Sequence, residues 1–207
     1  MKKKKKILMN EGVTLTQIAE EHGIIFFDTC SLIAYLTKNF SKEGGEKTLL
    51  SNIRRVIEGG TEIFLTPKIK EEYLNKRYFE WVTVHGSFEQ RRNIIRRKKF
   101  VKRLEESGRI FDITLLNDFA PPRFFLNEVL DKLREPDVEL LLSALSCAQR
   151  TPTALISNDS GVIRAANGFY KGMLGEEEVN ITCYRRVGIT DFKKGEDRLP
   201  KGYFTTR

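Results

Sequence analysis

The chain reads as an α/β domain in which helices flank a central parallel sheet, and three observations point there. Short apolar runs such as Ile24-Ile25-Phe26-Phe27 and Ala154-Leu155-Ile156-Ser157 stop abruptly beside acidic residues. Such runs suit strands buried on both faces. Segments of helical periodicity alternate with them, the pattern of parallel strands joined by crossover helices. The length of 207 residues accommodates one domain with room for an insertion.

In chain order, residues 14–22 predict a short capped helix stopped by Gly23, and the first strand follows at 24–27. A helix is expected from about Thr29 to Asn39, and a second across Glu46 to Glu58, ended by Gly59-Gly60. Glu62 to Leu65 reads as a strand, and Thr66-Pro67 as the N-cap and first position of another helix. Further on, Pro136 to Gln149 predicts an apolar helix, 154–157 a strand, Ser160 to Asn167 a helix, and Val179 to Tyr184 a last strand. The domain is therefore placed at 23–190. A basic tail and short helix precede it at 1–22, and a tail rich in Lys, Gly and Asp follows at 191–207. The segment 74–134 is too long for an ordinary connection and reads as a helical insertion with its own role.

Composition narrows the partners. A net charge of +8 favours a polyanion, because Lys and Arg gain affinity for phosphates by releasing counterions. Three cysteines, Cys30, Cys147 and Cys183, are odd in number and widely spaced, which argues against a disulfide framework or zinc finger. They read as small core residues of a cytoplasmic protein. No apolar run is long enough to cross a bilayer, so no membrane association is expected. Lys2 to Lys6 is followed by too few apolar residues for a signal peptide.

Topology gathers the acidic residues. Asp28 and Asp159 each follow a strand, and parallel strands all end at one edge of a sheet. Asp137 begins a helix leading antiparallel into the strand at 154–157, so its start lies at that same edge. Glu72 lies about a turn and a half into the helix after the second strand. Such carboxylates repel one another unless a hard cation shares them, and Mg2+ or Mn2+ suits oxygen ligands of this kind. Each acid has a plainer role available, since Asp is a favoured N-cap and Glu72 fits an exposed helix position.

Four blocks carry a resemblance. IIFFDTCSLIAYL (24–36) resembles the opening of PIN-domain nucleases, and TPKIKEEYL (66–74), EPDVELLLSALSCA (135–148) and ALISNDSGVIRAA (154–166) resemble the blocks that follow, in the same order. The resemblance implies a PIN-like three-layer α/β/α fold with about five parallel strands, and cleavage of RNA by a metal-activated water. It implies that Asp28, Glu72, Asp137 and Asp159 hold Mg2+ or Mn2+. Thr29 or Ser31 would steady Asp28 or a phosphate oxygen, and Asn158 or Ser160 the fourth acid. Glu71 competes with Glu72 for the second position, where Glu72 is preferred because it precedes an apolar residue as the block does, and Glu135 and Glu139 flank Asp137 and could assist or replace it. Ser160-Gly161 follows Asp159 where relatives often carry another acid.

The insertion has a readable face. Within FEQRRNIIRRKKFVKRLEE (88–106), Ile94, Phe100, Val101 and Leu104 group on one side of a helix. Arg91, Arg92, Arg96, Lys98, Lys99, Lys102 and Arg103 fall largely opposite, a pattern that suits a helix tracking a phosphate backbone and equally a solvated face or a membrane-surface or partner helix. Tyr78, Phe79, Trp81 and Phe88 lie near enough for base stacking, although core packing suits most of them.

The expected activity is thus that of a metal-dependent endoribonuclease with RNA as partner. A homodimer, a protein antitoxin and a processing complex stay open as further partners. The alternatives are an RNA-binding protein whose site has lost metal, and a phosphatase with an aspartyl nucleophile. In such phosphatases the second residue after the nucleophile is commonly acidic, whereas here it is Cys30. A dinucleotide site is disfavoured because no GxGxxG follows the first strand. Histidine catalysis is disfavoured because His22 and His85 read as surface residues outside the crevice.

Overall fold

The computed structural model describes residues 12–33, 60–119, 132–172 and 180–185, with 118 and 167–172 in backbone alone. The helix expected across 46–58, the latter part of that at 29–39, the basic N-terminal tail and the tail from 191 lie outside the described residues.

Helix α1 (Leu15–Glu21) opens on a capping box, in which the Thr14 hydroxyl accepts from the Gln17 N–H while the Gln17 side chain accepts from the Thr14 N–H. Strand β1 (Ile24–Phe27) follows after one tight approach: Gly23 donates to the Pro152 carbonyl at 2.9 Å, and a Cβ at 23 would meet the Thr151 methyl at 2.5 Å. Any side chain at 23 would have to displace that methyl. Residues 29–33 are helical, as expected. Strand β2 (Glu62–Phe64) leads into α2 (Pro67–Tyr73), whose Thr66 N-cap accepts from the Ile69 N–H and whose first residue is proline.

Helices α3 (Lys76–His85) and α4 (Phe88–Glu106) and a 3-10 turn (Ile113–Asp118) make up the described part of the insertion. Then come α5 (Glu135–Ala148), β3 (Thr153–Ser157), α6 (Ser160–Gly172) and β4 (Ile181–Arg185).

The four strands form one all-parallel sheet in the order β2-β1-β3-β4. Four is the number among the described residues, and a fifth strand is not among them. Every position of β3 is buried, so both faces of the sheet are covered, which is why the strands read as unbroken apolar runs. The order carries one consequence. The chain steps from β1 to one side to make β2 and then returns to the other side to make β3. The gap between the C-terminal ends of β1 and β3 is therefore a topological switch point, where connecting segments diverge and leave a crevice.

The insertion divides in two. Phe79, Val82 and Ile94 form a small cluster of their own between α3 and α4. The second half of α4 is instead built into the domain, since Phe100, Val101, Leu104, Phe111 and Phe119 belong to the main core. Leu65 fixes this by exchanging main-chain bonds with Arg109 and Phe111 at 3.1 and 2.8 Å. Among the described residues no helix is long and apolar enough to cross a membrane.

Candidate active site

Each expected acid arrives at the crevice by a different route. Asp28 leaves the end of β1, its N–H still bonded to the Ile156 carbonyl of β3 at 3.1 Å, so it stands at the switch point. It is buried. Its Oδ1 accepts from the Ser31 N–H at 2.6 Å, the cap of the helix beginning there. Its Oδ2 accepts from the Ser157 hydroxyl at the end of β3. That same Ser157 oxygen accepts from the Asp159 N–H at 2.9 Å, so one hydroxyl joins the two strand-end acids.

Asp159 is exposed and turns back over the first turn of α6, where Oδ1 accepts from the Gly161 and Val162 N–H groups at 2.6 and 3.2 Å. A Cβ on residue 161 would come within 2.8 Å of that oxygen.

Glu72 and Asp137 meet because α2 and α5 pack side by side. The Thr29 hydroxyl donates to Glu72 Oε2 at 2.5 Å, linking the β1 end to α2. Between Glu72 and Asp137 stands Arg134. Its Nη1 donates to Glu72 Oε1 at 3.0 Å, and its Nε and Nη2 donate to Asp137 Oδ2 and Oδ1 at 3.0 and 3.3 Å. A bidentate fork of this kind is the strongest ion pair the two side chains can form.

Electrostatics bind the group together. Burial pushes the Asp137 carboxyl above the usual carboxylate range, against the pull of Arg134, and the charges of Asp159 and Glu72 push it the same way. Both acids are therefore near enough to be felt at Asp137. Partial burial opposes the Arg134 charge, but Asp137 and Glu72 outweigh it and raise its pKa. Asp28 joins through Thr29 on one side and Ser157 on the other. The four acids thus form two linked pairs, joined along the chain where Asp28 is followed by Thr29. They are not a preformed cage: among the described residues no three His, Cys, Asp or Glu side chains stand together as a metal site.

The competing acids point elsewhere. Glu139 accepts from the Lys68 N–H at 2.7 Å, at the start of α2, and Glu135 pairs with Lys68 Nζ at 3.1 Å. Glu71 is exposed. The supporting residues need correction. Thr29 holds Glu72, not Asp28. Ser31 serves Asp28 through its N–H, while its buried hydroxyl has no hydrogen-bond partner among the described residues. The fourth acid is steadied by Ser157 rather than by Ser160, which is exposed; Asn158 is half-buried between them.

Two participants, Ser157 and Arg134, escaped the sequence reading. Ser157 is the last strand residue, two before Asp159, a placement that aims a side chain at the crevice. Arg134 stands at the N-cap of α5 without a capping bond, where a cation faces the positive end of a helix dipole. That anomaly was its signal.

Two further expectations change, those for Cys30 and His22. Cys30 is exposed rather than core; Cys147 is half-buried and Cys183 buried. His22 is buried, its Nδ1 bonded to the Ile18 carbonyl at 2.9 Å, whereas His85 is exposed. A hollow of about 180 Å³ opens at the opposite edge of the sheet, lined by Ile24, Cys147 and Thr151 among others, and takes no part in the crevice.

Along α4 the expected sides hold. Ile94, Phe100, Val101 and Leu104 are buried, joined by Arg97, whose guanidinium lies over the Tyr73 and Tyr78 rings at 5.3 and 5.6 Å. Arg91, Arg92, Lys98, Lys99, Lys102 and Arg103 are exposed, and Arg96 is half-buried with a bond to Asn93 at 3.3 Å. Of the four aromatics, Phe79 is buried and Tyr78 half-buried, while Trp81 and Phe88 face solvent.

Compared with protein-family models, curated proteins and solved structures, the chain finds no match.

Proposed function

We propose that the protein is a PIN-like, metal-dependent endoribonuclease of the cytoplasm, with a three-layer α/β/α domain that hydrolyses RNA phosphodiester bonds. The observation that supports this reading is a pair of linked acids on either side of the β1 end: Asp28 and Asp159 share the Ser157 hydroxyl, and Glu72 and Asp137 share the Arg134 guanidinium.

The donor set fits a hard divalent ion. All four groups offer carboxylate oxygens, and Mg2+ is commonly held by one or two carboxylates with several waters retained, so a closed cage is unnecessary. Arg134 is the stand-in: its guanidinium lies where Glu72 and Asp137 call for positive charge. The capping bonds of Asp28 and Asp159 do not forbid ligation, since a carboxylate accepts at about four lone-pair positions.

Asp28, Glu72, Asp137 and Asp159 would hold Mg2+ or Mn2+. Bound there, the ion would activate a water and stabilise the leaving oxygen of an in-line displacement. Ser157 fixes the Asp28 carboxylate relative to Asp159, and Thr29 fixes Glu72. Arg134, displaced from the acids, supplies a planar fork suited to phosphate oxygens. The basic face of α4 supplies affinity for the RNA backbone.

The test is cleavage of a labelled RNA by the purified chain in Mg2+ or Mn2+ against the same reaction in EDTA, with Asp137→Asn alongside. Metal-dependent cutting that Asp137→Asn abolishes is the expected result; cutting by Asp137→Asn at the parent rate overturns the reading. A second reading draws on the same guanidinium. If Arg134 holds Glu72 and Asp137 permanently, the chain binds RNA and does not cut it, and a retained gel shift without cleavage identifies that protein.

A further inference from the structure

The expectation for α4 treats its outward side as a row of charges, but two large apolar residues lie among them. Phe88 is 82% exposed and Ile95 55%. Counting about 100° per residue, Phe88, Ile95 and Lys99 fall within about 40° of one another, with Arg91, Arg92 and Lys102 flanking them. The buried residues of α4 lie opposite, so no core demand explains this placement.

A single exposed apolar side chain is ordinary, but Phe88 and Ile95 share one stripe with Lys and Arg, and a purely electrostatic backbone tracker needs neither. The pattern fits a ligand with a negative edge and an apolar face. Duplex RNA offers phosphates but hides its base faces in the stack. A single strand offers both, its bases stacking on aromatic rings while Lys and Arg follow the phosphates. Glu106 closes the stripe at its C-terminal end and pairs with Lys102 at 3.6 Å, both side chains well exposed, which solvent screens to little effect.

We propose that the outward face of α4 is a platform for single-stranded RNA, with Phe88 and Ile95 receiving bases and Arg91, Arg92, Lys99 and Lys102 their phosphates. The proposal rests on reading that face as the RNA surface but not on the metal chemistry, so it is tested with the full chain in EDTA. Fluorescence anisotropy with a labelled uridine-rich oligonucleotide and with a duplex of equal length gives both affinities across a salt series.

The expected results are tighter binding of the single strand and a loss of about fivefold or more in Phe88→Ala, at unchanged salt slope. The triple variant Arg92→Gln, Lys99→Gln, Arg91→Gln should lower the slope by about 2, at about 0.7 per phosphate contact on a single strand. Phe88 is so exposed that its loss leaves the fold intact, which circular dichroism checks. Equal binding by Phe88→Ala, or preference for the duplex, overturns the platform. So does Phe88-dependent capture on anionic phosphatidylserine vesicles without RNA binding, which would make the face a membrane surface. Failure here leaves the cleavage assay untouched, and a chain that never cuts RNA can still pass this test.

Discussion

The crevice and the α4 face are built on opposite plans. The crevice draws one side chain from each of several distant segments: the strand order brings Asp28 to Asp159, and the packing of α2 on α5 brings Glu72 to Asp137. The α4 face comes from one continuous helix, and its residues share a side because of the helical repeat. The first is hydrogen-bonded and rich in carboxylates, with Asp28 and Asp137 buried. The second is solvated and positive. A site assembled by topology holds its groups rigidly enough for chemistry, whereas a face on one helix offers affinity without fixed geometry. The two should fail in different ways.

The largest effect separates them outright. Asp28→Asn keeps a side chain able to cap the helix and accept from the Ser31 N–H, so it should fold and bind RNA at least as tightly as the parent. Cleavage should fall by about a thousandfold or more, because a carboxylate ligand is gone. Neutralising Arg92, Lys99 and Arg103 should do the reverse, weakening binding several-fold at moderate salt and leaving the rate at saturating RNA unchanged. Single-turnover kinetics over a range of protein concentrations reads both quantities. If both variants lost only affinity, or both only rate, the division of labour would be wrong.

Next in size is the joint between the strand ends. Ser157→Ala leaves the buried Asp28 Oδ2 and the Asp159 N–H without the hydroxyl that serves them both. A cost of about 1–3 kcal/mol is expected for such orphaned groups. Urea denaturation measures it, and a midpoint unchanged from the parent would mean that water replaces the hydroxyl freely.

The same contrast explains what the sequence disclosed. Strands buried on both faces announce themselves as apolar runs, and β1, β2 and β3 lie within a residue of where those runs put them. Thr66-Pro67 marks a helix start by local chemistry, and α2 begins there. The core side of α4 follows from periodicity, since each buried residue repeats the helical spacing. Harder to read were the groups whose role depends on a partner far along the chain. Thr29 sits beside Asp28 in sequence and serves Glu72 in space. Ser157 belongs to a strand and acts on another strand's end. Cys30 shares an apolar run with core residues, yet the helix beginning at Thr29 turns it outward. Neighbours in sequence reveal capping. They do not reveal which distant side chain a hydroxyl meets.

The smallest effect is at Arg134, and it probes the crevice alone. Its guanidinium competes for the Glu72 and Asp137 oxygens that a divalent ion would use. Removing it should therefore tighten metal binding, even though it removes a residue from the site. Because the Arg134 side chain is 54% exposed, solvent screens the pair and limits its worth to about 1 kcal/mol or less. Arg134→Gln should then lower the Mn2+ dissociation constant by up to about fivefold, as read by electron paramagnetic resonance of free Mn2+ without RNA. Affinity for uridine-rich RNA in EDTA should not change, since α4 carries that function. Weaker Mn2+ binding in Arg134→Gln would mean that the guanidinium holds Glu72 and Asp137 in the positions the ion needs, a scaffold rather than a competitor.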